Sequence, residues 1–107
     1  MISVGWTTVS KREDAEKLAQ GLVAEGLAVC VQIEGPIHSV YRWKGELERA
    51  EEYRLMVKML VERVLSVGTW IEQHHPYETP EWVVIKADGV GEKYLSWARS
   101  NPTSDPL

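Results

Sequence analysis

The chain has 107 residues, 44% of them hydrophobic and 26% charged, with a net charge of −4. That length supports one well-packed domain rather than two, and the balance excludes an intrinsically disordered chain. The acidic balance excludes a broad nucleic-acid surface, which needs clustered Lys or Arg, and no apolar run nears the roughly 20 residues of a membrane-spanning helix.

Ile2 to Val9 is rich in β-branched residues and predicts a strand whose weak point is Gly5. Ser10-Lys11-Arg12-Glu13 has the form of a capping box, in which the Ser hydroxyl and the Glu carboxylate satisfy free backbone N–H groups. Ala15, Leu18, Ala19, Leu22 and Val23 then recur at helical spacing, with Gly26 as the stop. Ala28 to Ile33 is an almost unbroken apolar strand, expected at the centre of a sheet. Gly35-Pro36 is expected to interrupt it, because proline removes a ladder donor. His38 to Trp43 resumes the strand, Lys44-Gly45 turns it, and Leu47 to Met59 returns with Tyr53, Leu55, Val57 and Met59 on one face. A second helix is expected from Val61 to His74, a last strand from Trp82 to Ala87, and a closing helix from Glu92 to Arg99.

The order is β-α-β-β-α-β with a short C-terminal helix. It predicts an α+β, ferredoxin-like domain over residues 1–100, with an antiparallel sheet and two helices on one face. Residues 101–107 have loop composition and read as a tail. The other sheet face then has no helix layer of its own.

From Ala28 to Trp43 an extended chain spans roughly 50 Å, against a radius of gyration near 13 Å for a domain of this size. The hairpin therefore overhangs its own core. A two-stranded ribbon is marginal alone in water, and Tyr41, Trp43 and Val40 put apolar groups on both of its faces. It is expected to pack on another chain, making the protein an oligomer. The competing reading, a solvated arm, rests on the polar residues Glu46, Glu48, Arg49, Glu51 and Glu52.

Tyr41-Arg42-Trp43-Lys44-Gly45 and His75-Pro76-Tyr77-Glu78-Thr79-Pro80-Glu81, with Leu27-Ala28-Val29-Cys30-Val31 upstream and Tyr94-Leu95-Ser96-Trp97 downstream, resemble the CutA family of divalent-cation tolerance proteins. The resemblance runs from Ile2 to Trp97. It implies a ferredoxin-like fold, an intertwined cytoplasmic homotrimer clasped through Tyr41–Gly45, and a role in tolerance of copper and other divalent ions. It also implies similarity to trimeric PII-type signalling proteins, which bind small ligands between subunits. Gln32 stands where an Asn is common in the family, and Ser10 where a Pro is common.

Cys30, the only cysteine, excludes an intrachain disulfide and fits a reducing cytoplasm; no signal peptide is visible in Met1 to Trp6. Its thiolate suits Cu(I) or Zn(II), while its apolar surroundings equally suit a small buried hydrophobe. His74 and His75, adjacent in sequence, cannot form the i, i+4 chelating pair of a helix. His75 precedes Pro76 and is pushed out of the helix. It lies close enough to Tyr77 and Glu78 for one small site, so His75 and Glu78 are candidate metal ligands, against the alternative of a rigid proline-framed turn; the resemblance to the divalent-cation tolerance family adds Cys30 to the candidates. Arg42 is expected to pair with a hairpin glutamate, and His38 to be a surface residue. Trp43, Trp82 and Trp97 are candidates for lining an inter-subunit cleft. No glycine-rich phosphate loop, nucleophile elbow or His-Glu-x-x-His motif occurs, so nothing points to catalysis or a required cofactor.

Overall fold

A computed structural model describes residues 1–100; the tail expected at 101–107 lies outside the described residues. The elements are β1 (Ile2–Val9), α1 (Arg12–Ala24), β2 (Cys30–Trp43), β3 (Glu46–Leu60), α2 (Val64–His74, entered through a 3-10 turn at Val61–Arg63), β4 (Val83–Lys86) and α3 (Glu92–Ser100). The sheet is antiparallel in the order β2-β3-β1-β4, the expected ferredoxin-like arrangement.

Period-2 alternation decides what the sheet buries. Leu55, Val57 and Met59 of β3 face the helices and are buried with Val9, Leu18, Leu22, Val67 and Ile71. Val31 and Ile33 of β2 pair with Val57 and Leu55 and join the same core. Gly5 pairs with Val57 on that face. Its missing side chain makes room for the ring of Trp82, which would lie 2.8 Å (Cζ3) from a Cβ at this position and also packs by Gly68.

Four expectations are corrected. The capping box does not form: Lys11, not Ser10, is the N-cap of α1, with no side-chain cap bond. The apolar segment after Ala28 lies at the sheet edge, not its centre, because β3 pairs β2 on one side and β1 on the other. Gly35-Pro36 does not divide the strand. It is absorbed as an irregularity between Glu34 and Ile37 within one continuous β2, the form in which a proline is tolerated at an edge. Arg42 donates to the Gly45 carbonyl at 3.5 Å and, among the described residues, makes no ion pair with the hairpin glutamates. The stop of α1 is as expected: Gly26 has φ 73°, and Leu27 N–H returns to the Leu22 carbonyl at 2.9 Å and Gly26 N–H to that of Val23 at 3.0 Å, which is a Schellman motif.

The hairpin turns at Lys44 (φ 51°) and Gly45 (φ 83°), and two consecutive left-handed residues match the right-handed twist of the flanking strands. Its outer part, from Ile37↔Glu52 to Trp43↔Glu46, lies beyond the last β1–β3 pair, Val9↔Tyr53. The molecule is accordingly elongated, 48 × 29 × 22 Å with a radius of gyration of 14.7 Å.

Candidate functional site

The segment after α2 is turned back across the base of the hairpin. His75, the C-cap of α2, is extended (φ −71°, ψ 139°), as the proline behind it requires. Its ring is buried beneath the end of β1. Tyr77 N–H donates to Nδ1 at 3.0 Å, so Nε2 carries the proton and offers it to the Thr8 carbonyl at 3.0 Å and the Thr7 hydroxyl at 2.9 Å. Both ring nitrogens are thereby occupied. Burial holds the pKa of His75 below its usual 6.5, against the opposite pulls of the Thr8 carbonyl and the Asp14 and Glu52 charges.

This histidine sets the path of Tyr77, whose ring lies 4.9 Å from its own. The Tyr77 hydroxyl donates to Glu52 Oε2 at 2.7 Å. Burial, then that bond, pushes its pKa up to about 12, which keeps it a donor. Glu52 stands just past the end of β1 on the hairpin and is only 7% exposed. Its Oε1 takes no hydrogen bond among the described residues and is not sealed from solvent.

Above this pair opens a cleft of about 660 Å³. Hairpin residues Ser39, Val40, Tyr41 and Trp43 form one wall, Tyr77, Glu78, Thr79 and Glu81 the other, and Thr8 and Glu52 the floor. Partial burial and the nearby Glu52 charge raise the pKa of Glu81, opposed by Arg54. Arg54 itself is held by Glu34, with Nε at 2.8 Å and Nη2 at 2.6 Å from one carboxylate oxygen.

The three residues singled out as metal ligands are not brought together. Glu78 is exposed in the cleft wall, and His75 lies behind it with its ring committed. Cys30 is half-buried on the sheet face opposite α1 and α2. It sits beside Tyr94 of α3 and beside Lys58. Lys58 is six residues along β3 from Glu52, about 20 Å. Among the described residues no three His, Cys, Asp or Glu side chains converge as a metal cage. The tryptophans also separate: Trp43 lines the cleft, Trp82 is packed on Gly5, and Trp97 pairs with Tyr94 at 5.5 Å. Glu52 and Glu81 were not among the expected site residues. The signal available for Glu81 is its place in the Tyr77–Glu81 run; Glu52 carries none, being one of many hairpin glutamates.

A split βαβ sheet with a protruding hairpin, whose base is crossed by a proline-framed loop to form an acidic and aromatic cleft, defines an α+β domain of the ferredoxin-like class. Residues 3–101 match the family of CutA1 divalent ion tolerance proteins, and the chain belongs to that family. It is 35% identical over 94 residues to the divalent-cation tolerance protein CutA of Yersinia pestis, covering 88% of this chain and 79% of that protein. Among solved structures, CutA from Synechococcus elongatus superposes with a TM-score of 0.88 at 38% identity, over 92% of this chain and 88% of that one. The periplasmic divalent cation tolerance protein CutA from Archaeoglobus fulgidus gives 0.88 at 31% identity, over 92% and 96%.

Proposed function

We propose that this protein serves divalent-cation tolerance as a homotrimer that binds copper or similar divalent ions weakly, without catalysis. The observation that carries this reading is membership of the divalent-ion tolerance family, and the cleft offers the ions carboxylate oxygens from Glu52, Glu78 and Glu81. Carboxylates that do not converge leave an ion much of its water, which fits weak binding. Cys30 forms a separate soft position, and His75 acts by positioning Tyr77. The hairpin and the bare sheet face support the trimer, and the absence of any disulfide partner for Cys30 supports a cytoplasmic setting.

Titration calorimetry of the assembled protein with Cu(II) and Zn(II) tests the proposal. Binding is expected to weaken about tenfold in a Glu78→Gln/Glu81→Gln variant, for the loss of two charged ligands. Equal affinity in the variant, or no binding by the unmodified protein, sinks the metal reading. A second reading, a signalling trimer with a small ligand in clefts between subunits, is favoured by one feature in particular. The cleft wall carries Tyr41 and Trp43, which an ion does not need.

A further inference from the structure

Three features of the cleft are poorly explained by a bare metal ion. Its three carboxylates are spread along the cavity and do not converge. Its opposing walls carry the aromatic rings of Tyr41, Trp43 and Tyr77, and no Lys, Arg or His is among the described lining residues. Glu52, more than nine-tenths buried, lines the cavity with one oxygen held by Tyr77 and with Oε1 unbonded among the described residues and not sealed from solvent. A metal ion needs oxygens gathered within 2–3 Å of one point, and an anion needs positive charge. Spread carboxylates between aromatic walls instead fit separated ammonium groups joined by an apolar chain. Each ammonium can be met by a carboxylate, and the methylenes and one cation can lie against ring faces.

From this we infer that the cleft binds a small organic polycation, an alkyl chain bearing two or more ammonium groups. The floor site at Glu52 Oε1 takes one ammonium group and Glu78 or Glu81 at the rim takes another, with Trp43 against the chain between them. The cavity of about 660 Å³ lies within the size range of small-ligand sites. The inference rests on the cleft being the functional site, as in the proposed function, and not on its binding metal.

The test is calorimetry of the assembled protein with spermidine as the probe, beside Cu(II), and with inorganic phosphate as the anionic control. Spermidine is expected to bind and phosphate not to bind. Trp43→Leu is expected to weaken spermidine about fivefold, the size of one exposed cation–π contact. Glu78→Gln/Glu81→Gln, at two exposed positions that leave the core intact, is expected to weaken spermidine tenfold or more. Cu(II) binding without spermidine binding overturns this inference and leaves the metal reading standing. Spermidine binding without Cu(II) binding does the reverse, and binding of neither overturns both. Spermidine affinity indifferent to both variants also overturns it.

Discussion

His75 is a residue whose chemistry is decided by partners remote in sequence. Its ring contacts Thr7 and Thr8, 68 and 67 positions earlier, and no local pattern announces that. Because its pKa is lowered in the fold, the unfolded chain takes up a proton first as pH falls. Stability is therefore full above about 6.5 and declines as pH drops below it toward the folded value, with a slope of at most about 1.4 kcal/mol per pH unit. Glu81 acts with the opposite sign, since its pKa is raised in the fold and its protonated form is the one the fold favours. Comparing urea midpoints of the unmodified protein and His75→Gln at pH 8.0, 6.5 and 5.5 isolates the histidine. The variant is expected to lose about 2 kcal/mol at pH 8 through its broken buried hydrogen bonds and to show a flatter decline toward pH 5.5. Identical slopes would refute this account. The motif His75 to Glu81 was legible as a unit from its prolines and its resemblance, but the role of each member was not. Cys30 and Glu78 are residue types that can ligate a metal, yet type carries no distance: Cys30 pairs with Lys58 on the β2–β3 ladder, whereas Glu78 lies in the cleft wall with Glu52.

At the scale of the element, periodicity served well wherever one face alone is buried. The β3 alternation named Leu55, Val57 and Met59, all of which are in the core, and Gly26 stopped α1 where the left-handed conformation was needed. It failed where tertiary pairing overrides local preference. The apolar run after Ala28 resembles a central strand, yet it is an edge whose side chains are covered by helices on one face only. Glycine 5 shows the same limit differently, for it read as a flaw in β1 and is instead the seat of Trp82. Gly5→Ala is expected to destabilise the protein by about 2 kcal/mol, because a methyl group there overpacks against an indole held on its other side by Gly68. Thermal unfolding at fixed protein concentration measures it. A Gly5→Ala/Trp82→Leu pair is expected to lose less than the sum of the single losses, since the two share one space. Strict additivity, or a Gly5→Ala protein as stable as the parent, would show that the ring is not wedged there.

The whole molecule was the scale most legible in advance, because strand length and surplus apolar surface do not depend on detail. A chain 48 Å long carries a hairpin with little behind it, and the sheet face opposite α1 and α2 is only partly covered by α3 around Tyr94 and Cys30. On that face Val83 and Ile85 of β4 remain 53% and 54% exposed, next to Val4 and Trp6 of β1 in the same register. Fully burying a side chain of this kind contributes about 1.5–3 kcal/mol, and a closed ring of identical chains repeats each contact at every interface. Three copies would thus gain from one residue what a single pair gains only once or twice. The same repetition makes the assembly vulnerable: one charged substitution on this face is buried three times over. Ile85→Glu, a change at a solvent-exposed position of the isolated chain, is expected to leave the fold of each chain intact and to disperse the proposed trimer. Sedimentation at micromolar concentration is expected to give about 37 kDa for the unmodified protein, three times the 12.2 kDa chain, and the single-chain mass for the variant. A parent protein that sediments as a monomer would refute the trimer. A variant that stays trimeric would leave the hairpin as the contact that holds the proposed trimer, where Trp43→Glu is the corresponding substitution.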